Sequence, residues 1–160
     1  LDSQIKSFLI AFIVVTFMLG FLLRSVSLGV FSMIPNLVPI FLGLGFMGLV
    51  GVPLDPATVM IGAIAMGLVV DDTVHFLVRL RRHSKAGSGL EGALRGATLD
   101  AGRPIVVTSF VLICAFSIMV SGSFTPNINF GFISAVIILL ALLADLILLP
   151  AALRIFRPTI

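Results

Sequence analysis

Two adjacent acids and a histidine lie inside an apolar run of the sequence. Asp71, Asp72 and His75 interrupt residues 57–78, which have the length and composition of a membrane-spanning helix. A charge at the centre of a bilayer costs about 2.5–3.5 kcal/mol on insertion scales, and ionisable residues found there usually serve ion or proton pathways. These three side chains are therefore the first candidates for a proton relay.

One face of this predicted helix carries Gly67, Asp71 and His75. Their spacing of four residues turns each about 40° from the next, so all three share one face, whereas Asp72 is turned about 100° away from Asp71. We expect Asp71 and His75 to share a proton, and Gly67 to let a neighbouring helix approach closely. If only one acid is indispensable, we expect it to be Asp71. The simpler interpretation is that these groups form structural hydrogen bonds only, or that His75 reaches the headgroups.

The composition is that of an integral membrane protein. Of 160 residues, 59% are hydrophobic and 11% charged, whereas soluble domains average about 25% charged residues. At about 20 residues per crossing, the length allows five or six spanning helices and no large soluble module. A soluble enzyme is therefore excluded. The net charge of +3 does not indicate nucleic acid, because the basic residues fall in short loops.

The hydropathy pattern predicts an all-α protein, a polytopic bundle of five transmembrane helices in one domain, residues 1–160. The predicted spans are about 3–23, 34–50, 57–78, 105–120 and 130–149, with a short amphipathic cytoplasmic helix over about 89–101.

Local signals refine the predicted boundaries. Residues 25–32 are predicted as a link before the second span, which contains Pro35 and Pro39. Asp55 before a proline predicts an N-cap for the third span, and Pro150 is predicted to end the fifth. The basic residues after position 78 could continue the third helix as one rod.

The basic residues indicate orientation. Across five crossings, nine of the ten Lys and Arg residues fall on one side and only Lys6 on the other; the nine are Arg24, Arg79, Arg81, Arg82, Lys85, Arg95, Arg103, Arg154 and Arg157. The positive-inside rule makes their side cytoplasmic, which gives an external N-terminus and a cytoplasmic C-terminus. The predicted location is the inner (plasma) membrane. The first residue is not methionine, and an external N-terminus requires an upstream segment that crosses the membrane. Both observations predict that this sequence is a piece of a longer polypeptide.

Polar groups on three predicted helices fall at similar depth. From the helical rise, Asp71 lies about 12 Å from the cytoplasmic boundary, Thr108 and Ser109 about 7–9 Å, and Asp145 about 7 Å. Such a layer could pass a proton between carboxylate, imidazole and hydroxyl groups. The alternatives are that the hydroxyls bond only to backbone carbonyls and that Asp145 pairs with an interfacial arginine.

Four motifs together resemble one transmembrane half of an RND superfamily transporter. They are Gly67-Leu-Val-Val-Asp71-Asp72-Thr-Val-His75-Phe, Arg79-Leu-Arg81-Arg82, Arg103-Pro-Ile-Val-Val-Thr108-Ser109-Phe and Ala144-Asp145-Leu-Ile-Leu-Leu-Pro150-Ala-Ala-Leu. Their order is similar to that in the MMPL-like and hopanoid-type lipid exporters. The Gly-x-x-x-Asp-Asp pattern is also similar to that of the sterol-sensing proteins Patched and Niemann-Pick C1. The resemblance covers almost the whole chain.

This resemblance implies a twelve-helix transporter with two large external domains, in which this chain is the five-helix set of one half. The short tail after the Leu-Pro-Ala-Ala-Leu sequence favours the C-terminal half over the N-terminal half. It implies Asp71 and Asp72 as proton-relay acids, with Thr108 or Ser109 as a polar partner. The lysine that drug-efflux members use has no counterpart here. The implied partners are membrane lipids, a lipid or other hydrophobic substrate, and the other half and external domains of the same polypeptide. A homo-oligomer is compatible with this arrangement.

The hypothesis is therefore a proton-driven exporter that is not an enzyme and uses protons as coupling ions without a cofactor. One alternative is a sterol-sensing-like domain that binds lipid and regulates a partner. A second is an intramembrane aspartyl protease using Asp71 or Asp72 with Asp145. The protease is disfavoured because such enzymes carry Gly-x-Gly-Asp, whereas Leu-Val-Val precedes Asp71.

Overall fold

The computed structural model describes residues 2–23, 25–53, 56–87 and 89–156, which form helices joined by short turns. The helices are α1 (Asp2–Leu22), α2 (Val26–Leu49), α3 (Pro56–Lys85), α4 (Gly89–Met119) and α5 (Thr125–Leu143), and a π-helical turn (Ala144–Leu148) connects α5 directly to α6 (Leu149–Phe156). The predicted all-α fold is confirmed. The features predicted at Arg24, Asp55 and Arg157 lie outside the described residues.

Within the described residues, four helical segments are long and apolar enough to cross a membrane. They are Leu28–Leu49, Met60–Lys85, Gly89–Met119 and Thr125–Phe156. The first helix has a shorter apolar segment, Leu9–Leu22. Length and composition together identify a helical membrane bundle, as the sequence predicts.

Helix α3 is central, because it packs against α1, α2, α4 and α5. Its residues Phe76 and Leu77 are at most 1% exposed, as is Ile137 of α5. Helices α4 and α5 approach closely at Gly131, where an added Cβ would lie 2.5 Å from the carbonyl oxygen of Phe116. Close backbone approach at small residues is the usual packing mode inside membranes, where the hydrophobic effect does not drive association.

Helix α2 begins earlier than predicted. Ser25 is its N-cap, with Oγ accepting a 3.4 Å hydrogen bond from the Leu28 N–H, so most of the predicted link is helical. Pro35 and Pro39 lie inside the helix, and both are buried. Spanning helices tolerate proline where neighbouring helices and side chains satisfy the freed backbone groups.

The predicted cytoplasmic surface helix and the fourth predicted span form one helix, α4, which continues through Pro104. A proline removes the bond to the carbonyl four residues earlier, here that of Asp100. One face is buried on both sides of this position, with Ala97, Ala101 and Ile105 at most 2% exposed. Continuous packing along that face explains why one lost hydrogen bond does not end the helix.

The fifth helix continues past Pro150, although that proline was predicted to end it. The π-helical turn ends at Leu148, two residues before the proline. A π-turn pairs each N–H with the carbonyl five residues back and widens the backbone. This local widening accommodates a proline ring that would clash with the preceding turn of a regular α-helix.

The prediction that the third helix and its basic end form one rod is confirmed by the 30-residue α3. The Arg81 guanidinium donates to the carbonyl of Leu23, and Arg154 Nε donates to Glu91 Oε1 at 2.7 Å. These contacts place the ends of α1, α3 and α6 and the start of α4 at one end of the bundle. That end carries most of the basic residues.

Candidate functional site

Three buried polar side chains meet between α2, α3 and the π-helical turn, and we call them the buried triad: Asn36, Thr73 and Asp145. The Thr73 hydroxyl oxygen lies 2.5 Å from Asn36 Oδ1 and 2.8 Å from Asp145 Oδ1. Thr73 and Asp145 are completely buried, and Asn36 is 1% exposed. The triad therefore links three helical elements through one hydroxyl group deep in the bundle.

The π-helical turn places Asp145 in this interior. Single π-turns within α-helices occur often at functional sites, because the extra residue in the turn changes which side chains face inward. Asp145 Oδ2 has no hydrogen-bond partner within the described part of the chain. Since most buried polar atoms in native proteins are hydrogen-bonded, such an exception points to function or to an unusual protonation state.

Asp72 and Ser109 lie beside the triad. Ser109 of α4 is 1% exposed, and its hydroxyl interacts with the carboxyl group of Asp72 on α3. Asp72 is half-buried and also interacts electrostatically with Asp145. The structure thus brings together Asp72, Ser109 and Asp145, one from each of the three helices predicted to share a polar layer.

Asp71, His75 and Gly67 lie on a different side of α3, which we call the open face. Asp71 Oδ1 and His75 Nε2 are 3.8 Å apart, and the two side chains are 72% and 68% exposed. Apart from the adjacent residues and the local backbone of α3 itself, no described atom comes within 4 Å of a Cβ built at Gly67. The helix predicted to approach Gly67 is therefore not among those the structure describes.

Thr108 does not join either group. Its exposed hydroxyl donates to the carbonyl of Pro104 at 3.0 Å and lies 3.1 Å from that of Ile105, both in its own helix. This matches the simpler of the two interpretations of the hydroxyls. Asp145, by contrast, is hydrogen-bonded by Thr73, and no arginine pairs with it in the portion of the chain described here.

Sequence reasoning missed two members of the triad, Asn36 and Thr73. Asn36 is the single strongly polar side chain in the second predicted span, residues 34–50. Thr73 directly follows the acid pair. An amide inside an apolar run was a usable signal, whereas the partner of Thr73 depends on how three helices pack. Within the described ranges, no three His, Cys, Asp or Glu side chains could hold a metal ion.

These features define a polytopic α-helical membrane protein with ionisable groups inside its bundle. The family model described as Patched SSD matches residues 4–155, so the chain belongs to the Patched family. The predicted resemblance to RND-type and sterol-sensing membrane proteins is thereby confirmed.

Two relatives show the same relationship. The chain is 29% identical over 150 residues to the hopanoid transporter HpnN of Burkholderia multivorans, an alignment that covers 91% of this chain and 17% of that protein. It is 26% identical over 150 residues to a protein of Methanocaldococcus jannaschii named as a membrane protein, covering 94% of this chain and 39% of the relative. The chain thus spans well under half the length of either. No solved structure shows significant similarity.

Proposed function

We propose that this chain is the transmembrane half of a proton-driven exporter of lipids or other hydrophobic molecules. The observation that carries the proposal is the meeting of Asp72, Ser109 and Asp145 inside a bundle of membrane-spanning helices. Carboxyl groups are costly at such positions and are typical of proton pathways. Membership of the Patched family and similarity to a protein named as a hopanoid transporter support a lipid cargo.

The proposed relay uses both sides of α3. Asp71 and His75 on the open face are close enough to exchange a proton through a small movement or one water molecule. Asp72 connects the open face to the interior through Ser109 and Asp145. Protonation of either acid of α3 removes a charge inside the membrane, which changes the preferred packing of that helix. Proton flow into the cell would drive the cycle.

The open face supports the proposal that a second half of the same polypeptide packs against α3. Two ionisable side chains more than two-thirds exposed cannot face lipid tails without a large penalty. A neighbouring helix bearing polar groups would cover them, and Gly67 would let it approach. We place the basic end of the bundle in the cytoplasm and the first residue outside the inner membrane.

The test is proton-coupled export by the full-length protein in proteoliposomes. Asp71→Asn and Asp72→Asn each keep the side-chain shape but cannot exchange a proton, and we expect Asp71→Asn to abolish export. Asp100→Asn is the matched control. Asp100 Oδ2 lies 2.9 Å from His83 Nε2 at the basic end of the bundle, and neither residue belongs to the proposed relay. Undiminished export in both relay variants would overturn the proposal.

A sterol-sensing-like regulatory domain is the second candidate, because the matching family model is a sensing-domain model, described as Patched SSD. In that case the bundle would bind lipid and regulate a partner without moving protons. Measuring export and lipid binding together in Asp71→Asn and Asp72→Asn separates the two functions. Loss of lipid binding with intact export would favour the sensor.

A further inference from the structure

If Asp145 were charged, the buried triad would have too few hydrogens to form both of the short contacts made by Thr73. Thr73 Oγ1 is within hydrogen-bond distance of two oxygens, Asn36 Oδ1 at 2.5 Å and Asp145 Oδ1 at 2.8 Å. Both separations lie within the roughly 2.5–3.0 Å range of O–H···O bonds. A hydroxyl group has one hydrogen and donates to one of them, whereas an amide oxygen and a carboxylate oxygen only accept. One of the two contacts therefore needs a hydrogen from another group.

Rotating the amide of Asn36 does not supply that hydrogen well. It would place an N–H donor 2.5 Å from Thr73 Oγ1, below the usual 2.7–3.2 Å range of N–H···O bonds. It would also turn the amide oxygen toward Met33 Sδ, which now lies 4.0 Å from Asn36 Nδ2. A thioether sulfur accepts hydrogen bonds but cannot donate them. The amide orientation in the structure is the one that satisfies both ends.

The surroundings of Asp145 also disfavour a carboxylate. The side chain is completely buried, and its Oδ2 has no hydrogen-bond partner in the described ranges. The groups facing it are Thr73 and Asp72 of α3, with Asn36 of α2 one step further along the triad. Asp72 is an acid that would repel a negative charge, and no cation forms an ion pair with Asp145 in the described structure. A neutral carboxylic acid avoids a buried unpaired charge.

We propose that Asp145 carries a proton in this conformation and that the triad is a one-directional donor chain. Asp145 Oδ1–H donates to Thr73 Oγ1, and the Thr73 hydroxyl donates to Asn36 Oδ1. Asn36 and Thr73 are thereby assigned to a buried proton site separate from the Asp71–His75 pair. The role of this site in transport rests on the proposed function; its protonation does not.

Release of this proton rearranges the contacts between helices. When Asp145 gives its proton to the neighbouring Asp72 carboxylate, the Thr73 hydroxyl turns to donate to the new carboxylate. Asn36 Oδ1 then loses its donor. When Asp145 is protonated, the Thr73 hydroxyl therefore bonds α3 to α2. When Asp145 is a carboxylate, the hydroxyl bonds α3 more strongly to the π-helical turn. A proton move between two carboxyl groups thus alters how α2 is held.

Infrared spectroscopy of the full-length protein in phosphatidylcholine vesicles at neutral pH tests the proposal. A protonated carboxyl group gives a C=O stretch that carboxylates lack. We expect such a band, shifted by deuterium exchange, that disappears in Asp145→Asn and persists in the matched variant Asp72→Asn. Absence of the band in the folded wild-type protein, or its persistence in Asp145→Asn, overturns the proposal.

Variants of Thr73 keep the test decisive if Asp145→Asn fails to fold. Thr73→Val removes the acceptor of the Asp145 proton and should shift the band, whereas Thr73→Ser keeps the hydroxyl and should restore its position. An unshifted band in Thr73→Val contradicts the donor chain. Export assayed on the same vesicles separates this inference from the proposed function. If export is proton-driven but the infrared band is absent, only this inference is overturned. If the band is present but export does not depend on protons, only the proposed function is overturned.

Discussion

Neighbouring residues of α3 serve two different surfaces. Asp71 and His75 lie on the open face with side chains 72% and 68% exposed, whereas Thr73 on the opposite side is completely buried and bonded to two other helices. Asp72 lies between these environments. Because successive helical residues turn by about 100°, one short motif supplies both faces. The buried side is completed by this chain, whereas the open side presents ionisable groups that the described helices leave uncovered.

This contrast predicts that substitutions on the two sides of α3 differ in their effect on stability. The buried side should determine whether the bundle holds together, because unmet hydrogen bonds inside a membrane have no water to replace them. The open face should matter little for the stability of the chain and much for its activity. Substitutions on the two sides of α3 can therefore be ranked by their effect on the free energy of unfolding.

The largest effect is expected for Thr73→Val. It leaves both Asn36 Oδ1 and Asp145 without the hydroxyl they share, so two buried polar groups lose a partner. At about 1–3 kcal/mol for each unsatisfied group, we expect a loss of about 3 kcal/mol. The measurement is unfolding in detergent micelles followed by circular dichroism. Thr73→Ser, which keeps the hydroxyl, should cost much less, and equal losses in the two variants would refute a hydrogen-bonding role.

The second effect compares two glycines. A Cβ at Gly131 would lie 2.5 Å from the Phe116 carbonyl oxygen and 2.7 Å from Met119 Cβ, so the backbones of α4 and α5 must separate. We expect Gly131→Ala to cost about 2 kcal/mol, within the range for overpacked cores. Gly67→Ala on the open face meets no described atom and should be neutral, or stabilising by up to about 1 kcal/mol through helix propensity.

The two glycine variants also test the proposed cover of α3. If a second half packs at Gly67, Gly67→Ala should impair export by the full-length protein without lowering the stability of this chain. Unimpaired export would indicate that no helix approaches closely there. A large loss of stability in the isolated chain would contradict the open position of Gly67.

Much of the fold could be predicted from the composition and from the lengths of the apolar runs. Long apolar runs predicted the helical membrane bundle, and the basic residues directly after the third apolar run were recognised as a possible continuation of that helix, which α3 confirms. The errors concern prolines. The fourth span was predicted to begin just after Pro104 and the fifth to end at Pro150, yet both prolines lie within helical rods. A sequence shows that a proline removes one hydrogen bond, but whether packing along the helix outweighs that loss depends on neighbours distant in sequence.

The members of the site that could be predicted are mainly those whose side chains are energetically unfavourable inside a membrane. Asp72, Ser109 and Asp145 were proposed from type and depth, and the structure places them together. The shared face of Asp71 and His75 followed from a spacing of four residues. Asn36 and Thr73 were missed because amides and hydroxyls are cheaper to bury and less conspicuous. The π-helical turn that directs Asp145 inward has no sequence signature that we recognise.

The third effect is expected for Asn36→Leu. Leucine fills a similar volume but removes the acceptor at one end of the triad, so the Thr73 hydroxyl is left with Asp145 alone. We expect a loss of about 1 kcal/mol, the usual net value of one hydrogen bond. A double-mutant cycle with Thr73→Val measures the coupling between the two side chains. Strictly additive losses would show that the 2.5 Å contact contributes no energy.

The smallest effect on stability is expected for His75→Ala. Its pairing with Asp71 spans 3.8 Å between two exposed side chains, four residues apart on one helix. Such pairs contribute about 0.3–0.5 kcal/mol, so unfolding in micelles should change by no more than that. If the open face carries the relay, the same variant should nevertheless slow proton-driven export, and His75→Gln should not restore it because a side-chain amide cannot take up and release a proton as an imidazole can. A variant that loses stability and export together would place His75 with the structural residues and confine the relay to the acids.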